Sequence, residues 1–332
     1  MDSIVDKAAV SPRPAKAGDR QYLFYNAIVL FFLSITVVVG FGMGPISPNG
    51  CRLSPSPEYF VSSCSSGKLG DYEHDAFWFG TEPAAISSLK EADVIFTGSS
   101  RTMFAFSTDE IRTYFTSRGI RYFNAAFGYE EQQSFFMGLA RKWNLRPRVL
   151  VIGVDPYFDE RISQPADLAM HRHLEIIAAL AKRTSLQLHP LMCGYGLSDC
   201  HSTPTAFRSN RDGFFVWRDI LMPDREIPRI HSDKLRDFQV NVPLAAIEAN
   251  TFLASVGMPS TCVVLVPMPT HDIWLKPDPV KQLSEAIGSK YIDADTGGDL
   301  SFVDNMHLSF ESAKRFSTQF LKAFDLVKGD CL

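Results

Sequence analysis

Asp93-Val94-Ile95-Phe96-Thr97-Gly98-Ser99-Ser100-Arg101 is the stretch whose reading decides the fold. A strand-forming, mostly apolar run ends on glycine and two small hydroxyl residues. That is the pattern of a buried strand turning into a helix within an α/β domain. Arg148 to Val154, RVLVIGV, is almost wholly apolar, as a strand is when helices cover both sheet faces. Between these runs, Ser107-Thr108-Asp109-Glu110 has capping-box spacing and predicts a helix to about Arg118. A strand over Arg121–Phe127 and a helix over Glu130–Asn144 follow. The alternation then breaks over residues 157–240, which read as an insertion. It holds a helix over Leu168–Arg183 and the aromatic stretch Arg211 to Trp217. Alternation resumes with a helix over Val242–Val256, a strand over Thr261–Val266, a helix near Val280–Ile287 and a short strand at Tyr291–Asp293. A last helix from Ser309 to about Val327 places Phe310, Ala313, Phe316, Phe320 and Phe324 on one stripe. The prediction is a three-layer α/β domain with a mainly parallel sheet over residues 91–330, in which sites form beyond the carboxyl ends of strands.

Residues 46–90, rich in Ser, Pro and Gly, read as an irregular lead-in. Ahead of them, Tyr22 to Pro45 carries no charge, enough for a helix to cross a hydrocarbon core of roughly 30 Å. A cleaved signal peptide is the competing reading, but its apolar region usually spans about 7–15 residues and ends in an A-x-A-like site. Residues 21–45 are therefore expected to be a retained transmembrane anchor. Residues 1–20 carry Lys7, Arg13, Lys16 and Arg20, whereas no Lys or Arg follows the apolar run until Arg52. The positive-inside rule makes residues 1–20 a cytoplasmic tail and puts the large domain outside, with a single pass through the inner membrane and a periplasmic domain. A formal net charge of −4 gives no basic field for nucleic acid.

Six cysteines suit an oxidising compartment. The Cys51/Cys64 and Cys193/Cys200 spacings permit local disulfides, though sequence alone does not fix connectivity. Cys262, in an apolar strand pattern, reads as a buried thiol and Cys331 as a tail residue. No CxxC or HExxH spacing occurs, so neither a metal nor a cofactor is expected. His171 and His173 lack a third ligand and read as surface residues.

Chemistry concentrates in two short segments. Gly98-Ser99-Ser100 offers a hydroxyl at a strand-to-helix turn, and Asp304-Asn305-Met306-His307 offers a carboxylate and an imidazole within one tight segment before the last helix. The carboxylate can orient the imidazole, which can take the serine proton and return it to a leaving group. His271, after Pro267-Met268-Pro269, sits at another strand end. Arg101 follows the candidate nucleophile and can hold an anionic or sugar substrate or pair with a carboxylate. Arg211, Asp212 and Trp217 offer either a sugar-stacking surface or core packing.

On these segments the chain resembles the SGNH/GDSL hydrolase superfamily over roughly residues 93–327. It is most similar to the membrane-anchored envelope branch, which includes polysaccharide O-acetyltransferases, alginate acetylation proteins and the D-alanyl transfer proteins of teichoic acid modification. The resemblance implies a flavodoxin-like SGNH domain with Ser100 as nucleophile, His307 as base and Asp304 as its orienting acid. It implies Gly128, in Phe123-Asn124-Ala125-Ala126-Phe127-Gly128, as an oxyanion donor. Where the family has Gly-x-Asn, this chain has Gly153-Val154-Asp155. An ionised Asp155 would repel an oxyanion, so it is expected to be protonated, to orient a neighbour or to be structural, with Asn124 or backbone donors substituting. The function implied is serine-based acyl transfer or ester hydrolysis, most simply of acetyl groups, on an envelope or secreted polysaccharide. A separate multi-span membrane protein is the implied acyl-delivery partner. The alternative is a non-catalytic accessory subunit of a polysaccharide modification or export complex.

Overall fold

The computed structural model describes residues 22, 24–32, 34, 48–65, 69–129, 131–155, 158, 161–216, 226–229, 236–237, 241–271, 273–274, 277–295 and 300–332. Five strands form a wholly parallel sheet: Val94–Thr97, Tyr122–Asn124, Val149–Val154, Val263–Pro267 and Lys290–Tyr291. Numbered along the chain, their spatial order is 2-1-3-4-5. The first strand therefore lies between the second and third, and the connections leaving it and the third strand run to opposite sides. A crevice opens at such a switch point, beyond the strands' carboxyl ends.

Side-chain alternation sorts the sheet into two cores. Val94, Phe96, Val149, Val151, Val264 and Val266 face the helices Ser100–Phe106, Asp109–Ser117 and Phe310–Val327. Ile95, Leu150, Ile152, Val263 and Leu265 face the helices Glu73–Phe79, Pro83–Glu91, Gln133–Trp143, Val242–Val256 and Pro277–Ile287. The layers are thus helix, sheet, helix. Every residue of Val149–Val154 is buried, which is why that strand reads as a continuous apolar run.

Several local expectations need correction. Residues 46–90 are not irregular: they contain the strands Tyr59–Cys64 and Gly70–Asp71 and the helices Glu73–Phe79 and Pro83–Glu91. Tyr59–Cys64 pairs antiparallel with Thr205–Ser209 of the insertion, which pairs in turn with Phe215–Val216. Lead-in and insertion thus build a second sheet together, a long-range pairing that no local period announces. The helix after the capping-box segment begins at Asp109 with Thr108, not Ser107, as its cap. The single helix expected over Leu168–Arg183 is two, Gln164–His171 and Glu175–Gly194. A seven-residue helix, Ser100–Phe106, follows the Gly-Ser turn directly.

The expected tail, residues 1–20, lies outside the described residues, as does most of the expected anchor. Within it, Tyr22, residues 24–32 and Ser34 are helical and exposed. Among the described residues no helix is long and apolar enough to cross a membrane. Trp217 and Pro156 also lie outside them.

All six cysteines are bridged: Cys51–Cys64, Cys193–Cys200 and Cys262–Cys331. Cys262 is therefore not a buried thiol, and Cys331 is not a loose tail residue. Cys262 ends the short 3-10 turn Ser260–Cys262 ahead of its strand, and the last helix delivers Cys331 beside it. A link across 69 positions removes more chain entropy from the unfolded state than either local bridge. Replacing Cys262 and Cys331 together by serine should lower unfolding free energy by up to about 4 kcal/mol. Replacing Cys193 and Cys200 should have a smaller effect, read from urea curves fitted for both midpoint and slope, because removing a cross-link also expands the unfolded chain.

Candidate active site

Backbone geometry at the end of the first strand places Ser100. Gly98 has φ +148°, and a Cβ there would lie 2.2 Å from the Thr102 hydroxyl. A Cβ on Gly153, in the neighbouring strand, would lie 1.9 Å from the same oxygen. Two glycines thus admit the buried Thr102 side chain between adjacent strand ends and let the helix start immediately. Ser99 caps that helix by accepting from the Arg101 N–H at 3.2 Å. Ser100 is its first residue, where backbone N–H groups have no intrahelical acceptor.

The second segment meets the first here. Ser100 Oγ lies 2.9 Å from His307 Nε2, and His307 Nδ1 lies 2.8 Å from Asp304 Oδ2. The other oxygen of Asp304 accepts the N–H groups of Met306 and His307, each at 2.7 Å. Three-residue spacing is what allows one carboxylate to close its own turn and hold the ring. Desolvation of the half-buried Asp304 pushes its pKa up. The hydrogen bond and charge of His307 and the two backbone N–H groups outweigh it and hold the value at about 2. With Asp304 ionised, His307 Nδ1 carries the donated hydrogen and Nε2 is left as acceptor for the serine proton. The His307 ring stacks on Phe104, centroids 4.4 Å apart, and Phe104 is backed by Phe215 from the insertion at 5.3 Å. The insertion therefore backs the ring on which His307 stacks.

The residues expected to complete the oxyanion side are arranged differently. Asp155 is buried and accepts a short hydrogen bond from Ser99 Oγ. Arg101 Nη1 donates to its backbone oxygen at 2.8 Å and to its carboxylate at 3.1 Å. Burial pushes the Asp155 pKa above the ordinary carboxylate value, while Arg101 and Ser99 pull the other way. Asp155 thus positions Ser99 and Arg101 at the base of the nucleophile turn and donates nothing toward Ser100. Of the two readings offered for Arg101, the ion pair is the one present. Asn124 is not a spare donor: its amide gives to Met103 O and Ser107 Oγ, and its oxygen accepts from Ala126 N–H. Gly128 lies at the carboxyl end of the second strand, and its N–H faces Glu73 Oε1 at 3.4 Å. The preceding residue, Phe127, donates its N–H to Gly98 O at 3.0 Å and ties this segment to the nucleophile turn.

Sequence reasoning missed a charged cluster behind Gly128. Arg208, fully buried on Thr205–Ser209, pairs with Glu73 at 2.9 Å. It also donates to the backbone oxygens of Asn124 and Ala126. His74 sits between Asp71, 3.0 Å from Nδ1, and Glu131, 3.6 Å from Nε2, and Glu131 accepts a short bond from Ser163. Burial pushes the His74 pKa down, but Asp71, Glu131 and Glu73 together lift it to about 10. The only signal in the sequence was the density of charge in Asp71-Tyr72-Glu73-His74-Asp75. Asp71, Glu73 and His74 present possible metal-ligand atoms, but Arg208 and the imidazolium already balance the carboxylates. His189, Cys193 and Cys200 also converge, with both sulfurs consumed by a disulfide.

Other candidates resolve as follows. His171 is exposed and pairs with Asp167 at 2.8 Å, and His173 is exposed. His271 is buried against Phe302, ring centroids 5.7 Å apart, with neither ring nitrogen hydrogen-bonded. Asp212 is buried on Arg112 and Tyr122. It is a packing residue, while Arg211 is exposed. No protein-family model, curated protein or solved structure matches the chain.

Two outcomes test this geometry. Gly98→Ala should destabilise the domain by a few kcal/mol, about 1–3 from the backbone alone, and displace Ser100; a thermal midpoint within a degree of wild type would contradict it. The charged His74 stabilises the fold fully below roughly pH 6.5, its ordinary pKa. That contribution is lost as pH rises through about 10. The thermal midpoint of the wild type should therefore fall across this interval, and that of His74→Asn should fall less.

Proposed function

We propose that this chain is a membrane-anchored serine acyltransferase or esterase of the SGNH type, acting on an envelope or secreted polysaccharide, with acetyl as the simplest acyl group. The observation that carries the reading is the continuous contact chain from Ser100 Oγ through His307 to Asp304. It sits at the switch point of a parallel sheet whose 2-1-3-4-5 order is that of flavodoxin-like domains. Hydroxyl, imidazole and carboxylate in this order are the parts of a general-base-activated nucleophile.

The proposed reaction has two halves. Ser100 Oγ attacks the acyl carbonyl while His307 Nε2 takes its proton. The bond to the leaving group breaks, and His307 returns the proton to it, leaving an ester on Ser100. An acceptor hydroxyl, or water in an esterase, then gives its proton to His307 and attacks that ester, and Ser100 is regenerated. Asp304 keeps the imidazole oriented and stabilises its protonated form throughout. The Ser100 and Gly128 N–H groups are the proposed oxyanion donors, Gly128 by exchanging its long contact with Glu73.

The proposed setting is the inner membrane, with the N-terminus in the cytoplasm and the domain in the periplasm. Three disulfides support an oxidising compartment. Acyl groups would come from a multi-span membrane partner, and no nucleic acid is involved. One observation favours the second reading, a non-catalytic accessory subunit: neither Asp155 nor Asn124 offers a side-chain donor to an oxyanion.

Hydrolysis of an activated acetyl ester by the purified chain separates the two readings. Ser100→Ala and His307→Ala should each lower kcat/KM by about 10³-fold or more, with Asp304→Asn losing less. Ser100→Ala and His307→Ala should remain folded. Wild-type turnover equal to that of Ser100→Ala would leave only the accessory reading.

A further inference from the structure

The helix Glu175–Gly194 has one face set into the domain and one set out of it. Ala179, Ser185 and His189 are buried. Lys182 reaches inward to Asp75 at 2.6 Å, and Leu186 joins the main core. The opposite face carries Leu174, Ile177, Leu180, Leu191 and Tyr195, continued by Leu197 beyond the helix, and these are 49% to 80% exposed. Their spacing makes an apolar stripe in two stretches, Leu174–Leu180 and Leu191–Leu197, along about 30 Å of helix, with Gln187 exposed among the residues between them. Thr184 is exposed within it, and no charged residue falls on its centre line. Arg172 and His173 are exposed at its amino end. So large an uncovered apolar face on a domain marks an interaction surface.

The chain's entry into the domain says what lies beside that stripe. Gly50 N–H donates to Asp199 O, and Thr203 N–H donates to Gly50 O. Asn49 Oδ1 accepts from Ser198 and Asp199. His189, on the helix itself, bonds the backbone oxygen of Cys51 at 2.8 Å, and Cys51 is bridged to Cys64. Residues 49–51 are therefore fastened to the carboxyl end of this helix and the loop after it. The apolar run ends at Pro45, and three residues of chain reach at most about 11 Å to Pro48. An anchor ending there brings the Leu191–Leu197 end of the stripe to the bilayer surface.

We infer that the outer face of Glu175–Gly194, with the Tyr195–Leu197 turn, docks onto the lipid bilayer in which the chain is anchored. This inference rests on the anchor reading of Proposed function. The helix would lie along the interface with its apolar stripe in the headgroup–acyl boundary, and Arg172 would meet anionic headgroups. Two points of attachment, a span and a lying helix, fix the domain's orientation. The catalytic crevice then stands at a set height above the membrane.

Lipid photo-cross-linking of the full chain tests this. The chain is placed in nanodiscs of phosphatidylglycerol and phosphatidylethanolamine carrying a diazirine-acyl lipid, and adducts are mapped by peptide mass spectrometry. Adducts in both residues 22–45 and residues 174–197 are expected. An Ile177→Glu/Leu180→Glu/Leu191→Glu variant should lose the second set and keep the first. Adducts confined to 22–45 overturn the docking face and leave the anchor reading standing. Adducts confined to 174–197 support the docking face and remove the anchor. Adducts in neither segment overturn both. Cross-links from 174–197 to a second copy, in place of lipid, also overturn the inference. The wild-type map decides the question even if the triple variant misfolds.

Discussion

The carboxylate of Asp304 holds together the segment that presents His307 to Ser100. One oxygen accepts two backbone N–H groups and so shapes the turn, while the other orients His307. Because one group does both, the imidazole cannot keep its position if the turn opens. His307 in turn joins the last segment of the domain to the Ser100 turn more than two hundred residues earlier. His307 and the two N–H groups hold the pKa of this carboxylate at about 2, so it is charged at neutral pH.

Opposite Asp304, the nucleophile turn depends on the absence of two side chains. Gly98 and Gly153 admit Thr102 between neighbouring strand ends, and Asp155 then ties Ser99 and Arg101 beneath Ser100. Arg208 performs a similar service for the second strand end by binding the oxygens of Asn124 and Ala126. Its charge is balanced by Glu73, whose own carboxylate faces Gly128. A buried pair of this kind contributes little net stability but fixes position, because breaking it would leave an uncompensated charge. The second sheet, made from lead-in and insertion, thereby acts as a brace for the crevice.

Much of this was legible in the sequence. The parallel sheet followed from apolar runs at Val94–Thr97 and Val149–Val154, since burial on both faces leaves an unmistakable composition. Ser100, Asp304 and His307 were identifiable as candidates because they fall on short segments with their own spacing, and the fold brings them into one contact chain. What escaped detection was long-range. Tyr59–Cys64 pairs with Thr205–Ser209, far away in the chain, and a strand defined by its partner has no local signature. Cys262 resembled a core thiol because its neighbours are apolar, and only the fold brings Cys331 beside it. Asp155, expected among other readings to orient a neighbour, accepts from Ser99 and Arg101, contacts that only the fold discloses.

The central claim is that Ser100 is a working nucleophile, and its most direct test is the mass of the protein itself. The full chain in detergent, exposed briefly to an activated acetyl ester and quenched in acid, should gain one acetyl group, mapped to Ser100. Ser100→Ala should gain none. A wild type that stays at its unmodified mass, while turning over none of the ester, would contradict the account.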